Sequence, residues 1–298
     1  MRLRLTTRLS DAETWRRNRA RDASLWSPML RGYMRGVEDL REEIDRVTLL
    51  PSEIQRYNAL MDLSVEPFLD AWVAGWEESQ LKIIRSMVNA TVTRVAKNLA
   101  KASVQVIDPE EYPLQQTERL ALEYMRTRGA KLIASMRAEM KQHIRAVLSD
   151  AIEEGWDVRQ MVRAIKNYAG LSPQYSRAVR NAEKRWIKEG LPYTDVERRV
   201  ERYSEKLTRT RAETIARTET IAAKNQGHLI SWKQLQSNGD LPERAQKRWI
   251  AAPAIACEIC RTLHLEDPKP LNATYSTKFG EVTAPPAHPN CRCSLGVA

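Results

Sequence analysis

The chain has 298 residues, a hydrophobic share of 42% and a formal net charge of +10. That is enough apolar material for one large or two moderate packed domains, since single cores commonly split beyond roughly 250 residues. No apolar run approaches the roughly 18 residues that a membrane helix needs, and Met1–Arg8 leads into a charged stretch rather than the apolar core of a signal peptide. These features argue against membrane insertion and export and predict residence in cytoplasm, where thiols stay reduced.

The charge is uneven. Residues 1–110 hold 17 basic and 16 acidic side chains, whereas residues 159–217 hold 15 Lys or Arg against 7 Asp or Glu. Such a surplus suits a polyanion, either nucleic acid or an acidic protein face, and is equally the mark of solvated helix faces.

Residues 11–47 are rich in Arg, Glu, Leu and Met, which predicts helices broken near Trp26-Ser27-Pro28. From Glu66 to Lys101 apolar residues recur at three- and four-residue steps, and Trp72 and Trp76 stand one turn apart, as core residues do. Val104–Gln116, with two prolines and little periodicity, reads as a linker. A second helical series runs from Thr117 through Ile152 and stops at Gly155. Asp157 opens a short helix through Ile165 that Gly170 ends, and Ser172-Pro173 caps another over Gln174–Lys188. Beyond Gly190 and Pro192 a long helix is predicted from about Thr194 to Gln236.

That long helix carries polar groups beside its apolar face. Arg211, Thr218 and Asn225 fall at seven-residue steps, and Glu213 and Arg217 lie four apart, close enough to pair. Buried polar groups need partners. The expectation is therefore a hydrogen-bonded clamp of Arg211, Glu213, Arg217, Thr218, Glu219 and Asn225 that fixes the helix against its neighbours.

After Gly239 the pattern changes. Trp249–Ala252 reads as a strand, and Ala273–Ser276 and Phe279–Val282 as short extended pieces. Seven of the fourteen prolines lie between Pro242 and Pro289, so burial alone would hold this segment poorly. The same segment contains all four cysteines and two of the four histidines. Cys257-x-x-Cys260, read as a tight turn, and His288-Pro289-Asn290-Cys291-Arg292-Cys293 point to a closed structural zinc site. Cys257, Cys260, His288, Cys291 and Cys293 compete for four places, and spacing does not choose among them. Two disulfides would require oxidising conditions that nothing else in the chain supports. The fold class expected is mainly α. It comprises a helical N-terminal region (1–110), a helical body (111–240) and a small irregular or β, zinc-knuckle-like module (241–298).

Several of these stretches occur together in one known family. Arg211-Ala-x-x-Ile-Ala-Arg217-Thr218-Glu219, then Asn225-x-Gly227, Trp249, Cys257-x-x-Cys260 and Pro285-Pro286-x-His288-Pro289-Asn290-Cys291-Arg292-Cys293 stand in an order that resembles the phage Mu F-like head morphogenesis family of minor capsid proteins. Gly170-Leu171-Ser172-x-x-Tyr175 is similar to the same family, and the likeness runs from about Thr117 to the end. It implies a non-enzymatic protein of tailed-phage heads at the portal vertex or inside the procapsid. Portal, major capsid or scaffold protein would be its partners, with room for non-specific DNA contact. It would reside in host cytoplasm during assembly and in the head interior afterwards. The family often has a glycine shortly after Cys-x-x-Cys, where this chain has Leu263-His264-Leu265-Glu266.

Two enzymatic alternatives use the same residues. His264-x-Glu266 beside Cys-x-x-Cys is the vocabulary of a zinc deaminase, but deaminases place His-x-Glu first. A site with four protein ligands also leaves no position for water. ADP-ribosyl transfer through Arg217 and Glu219 would need a cleft built largely from strands, whereas both residues fall in a predicted helix.

Overall fold

The computed structural model describes residues 23–101, 114–253 and 255–298. The predicted helical stretch at 11–22 and the linker at 104–113 lie outside them. The chain is mainly α, with eight helices among the described residues. These are α1 (Ala23–Thr48), α2 (Glu53–Met61), α3 (Glu66–Lys101), α4 (Leu114–Glu153), α5 (Val158–Tyr168), α6 (Pro173–Lys188), α7 (Tyr193–Ser237) and α8 (Glu258–Leu265). Five short strands accompany α8: β1 (Gln246–Ile250), β2 (Lys269–Pro270), β3 (Tyr275–Thr277), β4 (Gly280–Val282) and β5 (Ser294–Val297). The chain divides into two compact units, and α1, α3, α4 and α7 contribute residues to both.

The first unit comprises Pro28–Trp76 and Arg128–Glu213. Along α1, Met29, Tyr33, Val37, Leu40, Ile44 and Val47 recur every three or four residues, and all are buried. They share the core with Phe68, Leu69, Trp72 and Trp76 of α3. The two helices approach backbone to backbone. A Cβ on Gly32 would stand 2.6 Å from the Ala71 carbonyl oxygen, one on Gly36 2.5 Å from that of Phe68, and one on Gly75 would collide with the carbonyl of Pro28.

The expected break near Pro28 does not occur, and α1 runs through it. Only five helical residues precede Pro28, so its missing N–H removes a bond from the first turns alone. An interior proline costs about 3 kcal/mol. Full burial of Met29 and Tyr33 just beyond it, worth about 1.5–3 kcal/mol for a large side chain, offsets that cost.

Local signals set the other boundaries. Asp157 and Gln160 form a capping box at α5, and Ser172 caps α6 with Pro173 in its first turn. Gly170 takes φ +74° after α5, a conformation that suits glycine, and its carbonyl accepts a 2.6 Å hydrogen bond from Tyr33 Oη. Ser52 caps α2, which the sequence reading missed. Leu114–Gln116, expected in the linker, are the first residues of α4.

The second unit includes, among the described residues, Thr214–Ala298 and the parts of α3 and α4 between Glu77 and Thr127. Ile83, Ile84 and Val88 of α3 are buried with Ala222, Ala223, Leu229 and Ile230 of α7. Gly227 permits the approach, since a Cβ there would meet Met87 Cβ at 2.8 Å. The small C-terminal module follows. Its sheet has the antiparallel order β2-β1-β5, with Trp249 opposite Leu295 and Arg248 opposite Gly296, and β3 and β4 form a separate hairpin. Pairing with β5 places β1 at Gln246–Ile250 rather than at the predicted Trp249–Ala252.

Candidate metal centre

Two short turns gather the sulfur and imidazole groups. Cys257 is the N-cap residue of α8 and Cys260 lies in its first turn, so Cys257-x-x-Cys260 opens a helix instead of forming the free turn expected. In the second turn the Cys291 N–H donates to the His288 carbonyl at 3.1 Å, while Asn290 takes φ +62°. That left-handed conformation is one asparagine tolerates better than most residues.

The two turns meet. His288 Nε2 lies 3.1 Å from Cys257 Sγ and 3.2 Å from Cys260 Sγ, and Cys260 Sγ is 3.7 Å from Cys291 Sγ. Cys257, Cys260 and His288 have donor atoms within 4.8 Å of one another, as do Cys260, Cys291 and Cys293, so Cys260 belongs to both groups. His288 Nδ1 stands 2.7 Å from the Pro289 carbonyl oxygen. A proton on Nδ1 makes that bond and leaves the Nε2 lone pair facing the sulfurs, the arrangement a ligating histidine needs.

All four cysteines are free thiols, and Cys257 is exposed while the other three are buried. The Cys260 thiol's hydrogen bond to Cys291 holds Cys291 well below the usual thiol range and pushes Cys260 above it. The cluster thus favours a thiolate at Cys291. Thiolates with one imidazole form the donor set that suits zinc, so these residues fit a metal of that kind.

The long helix grips this region through two of the polar residues singled out above. Thr218 Oγ1 accepts the Asn290 N–H at 3.1 Å and donates to the Thr214 carbonyl at 2.7 Å. Two turns on, Asn225 Oδ1 accepts the Leu295 N–H at 2.8 Å, and Asn225 Nδ2 donates to the Cys293 carbonyl at 3.3 Å.

The other four do different things. In the first unit, Arg211 pairs with Glu139 of α4 at 2.8 Å. Glu213 pairs with Arg209 at 3.2 Å rather than with Arg217. Glu219 is buried, and its carbonyl accepts from Gln80 Nε2 at 3.2 Å. Arg217 is half-buried.

Sequence reasoning missed Lys247. Its ammonium is fully buried and donates to the carbonyls of Leu271 at 2.9 Å and Thr283 at 2.8 Å, which ties β1 to two loops. Burial, with Lys233 and Lys269 nearby, pushes its pKa down to about 8. The signal was available: in a strand centred on Trp249, residue 247 shares the inward face.

The deaminase constellation is not assembled. His264 Nδ1 lies 3.0 Å from the Trp249 carbonyl oxygen, Glu266 pairs with Lys269 at 2.7 Å, and neither joins the sulfur groups. Arg217 and Glu219 stand on a helix. Among the described residues, no helix is long and apolar enough to cross a membrane.

Residues 142–296, just over half of the chain, match the family described as Phage Mu protein F like protein. No curated protein and no solved structure matches the sequence.

Proposed function

The chain belongs to the Phage Mu F-like family, a family of phage head-related proteins, and on that premise we propose that it is a minor head protein of a tailed bacteriophage that acts in head assembly. The observation that carries this reading is the span of the match, which runs from α4 across α7 to the end of the Cys/His module. The module's Cys/His groups could hold a metal ion. In this reading the ion is zinc, and it is structural: it staples a proline-rich segment into one shape, and thiolates and imidazole fill its coordination sphere.

The protein then works as a helical adaptor. Residues 1–110 make the contact with portal, major capsid or scaffold protein, residues 111–240 form the body, and residues 241–298 form the stapled end. Assembly takes place in host cytoplasm, and the finished protein lies in the head interior, at the portal vertex or beneath the shell.

Coexpression of the tagged full-length chain with the portal, major capsid and scaffold proteins of its own phage, followed by affinity purification, tests the reading. At least one of the three is expected to copurify in fixed proportion. Recovery of the chain without any of them overturns the assembly role.

A further inference from the structure

We infer that Cys257, Cys260, His288 and Cys291 close a single metal site, that Cys293 is left out of it, and that Thr218 and Asn225 of α7 are the positioning residues that hold it in shape. The inference rests on the staple reading above and deepens it. Five donors are present, and a structural zinc takes four.

Sulfurs about 2.3 Å from a zinc ion stand about 3.8 Å apart along a tetrahedral edge. Cys260 and Cys291 already have that separation at 3.7 Å. His288 Nε2, at 3.1 and 3.2 Å from the sulfurs of Cys257 and Cys260, lies slightly inside the edge that a nitrogen and a sulfur would share. Cys291 does not share the 4.8 Å group of Cys257 and His288, so an ion entering the cluster would draw the two turns together around Cys260, the residue that belongs to both groups.

The two donor pairs are also built alike. Cys257 and Cys260 stand three residues apart across the start of α8, and His288 and Cys291 stand three apart across a turn closed by its own backbone hydrogen bond. Cys293 belongs to neither turn. It follows the second by two residues, directly ahead of β5, and its carbonyl is already taken by Asn225. Cys291 and Cys293 both group with Cys260 and neither groups with Cys257 and His288, so the choice between them rests on the turn that Cys291 closes with His288 and on the 3.7 Å from Cys260 Sγ to Cys291 Sγ.

Helix α7 supplies the outer layer. Thr218 is held by its bond to Thr214 and presents its hydroxyl oxygen to Asn290, the left-handed residue on which the His288–Cys291 turn depends. Asn225 fixes the chain on the far side of that turn through Cys293 and Leu295. Neither residue offers an atom to the metal. Removing such outer partners typically costs about 10–100-fold in metal affinity.

The test is a zinc competition titration of the full-length chain against a chromophoric chelator, with cobalt absorption as the second readout and far-UV circular dichroism as the folding control. Wild type and Cys293→Ser are expected to bind one ion per chain with similar affinity and the same thiolate-to-cobalt absorption. Cys257→Ser, Cys260→Ser and Cys291→Ser are each expected to weaken binding by about a hundredfold or more, the upper end of what an outer partner alone would cost. Thr218→Val should weaken it by about 10–100-fold and Thr218→Ser should restore it. A wild-type chain that takes up no metal overturns the staple reading and this inference together. One ion in the wild type, lost in Cys293→Ser and kept in Cys291→Ser, overturns the ligand set and leaves the staple standing. Thr218→Val binding as tightly as wild type removes the positioning role.

Discussion

In the helical unit of residues 28–76 and 128–213, Tyr33, Phe68, Trp72 and Trp76 are buried to 2% exposure or less; in the C-terminal module the comparable side chains are Trp249, Tyr275 and a lysine. The unit has helices spaced by glycines, so that large apolar side chains meet. The module lacks enough of them and uses polar ties instead: Lys247 on two carbonyls, Asn225 on β5, Thr218 on the Asn290 turn, and a cluster of sulfurs. Burial is non-directional and tolerates small changes, whereas polar ties depend on single atoms. The two regions should therefore fail under different insults.

The largest separation should come from chelation. Structural zinc contributes about 10–16 kcal/mol of binding free energy in small finger peptides near pH 7, so its removal is expected to unfold the module. Trp249, buried against Tyr275 with ring centroids 5.3 Å apart, should then change its fluorescence, while the far-UV helical signal persists. Equal loss of both signals would erase the contrast.

Gly75→Leu attacks the other side of it. The new side chain would meet the Pro28 carbonyl, and overpacking of this kind costs about 3 kcal/mol. The melting temperature should fall while zinc affinity stays unchanged.

Acid also acts on the helical unit. Burial, with Arg211 and Arg180 adding to it, pushes the His143 pKa down to about 4. Between that value and the unfolded value near 6.5 the folded state binds fewer protons than the unfolded one, so stability drops as pH falls through this window. The loss should reach about 2–3 kcal/mol by pH 4, and His143→Phe should flatten that part of the profile.

Asn225→Ala leaves the buried Leu295 N–H without its acceptor and should destabilise the module by about 2 kcal/mol, seen as a lower denaturant midpoint for Trp249 fluorescence. Smallest of all is Glu66→Gln. It breaks a surface pair with Arg137, side chains 47% and 42% exposed, and should leave the midpoint unchanged within error.

Sequence alone revealed what is decided locally. Glu66–Lys101 matches α3 end for end, and the caps at Asp157 and Ser172 start the helices they predicted, because periodicity and capping chemistry act over a few residues. What depends on distant partners was hidden. The helix through Pro28 needs Gly75 opposite it, the pair Arg211–Glu139 joins residues 72 apart, and β5 exists only as a partner of β1. At the candidate metal centre the five donor residues were legible from composition and spacing. That His288 reaches Cys257 and Cys260 together, and that Thr218 and Asn225 bind the knuckle, follows from how α7 lies along β5 and the Asn290 turn.

Native mass spectrometry of the full-length chain, with and without chelator, puts the central claim to its most direct trial. A mass excess of one zinc ion per chain that disappears on chelation is the result predicted. A metal-free chain lighter by four hydrogens, with its cysteines joined in two disulfides, would contradict it.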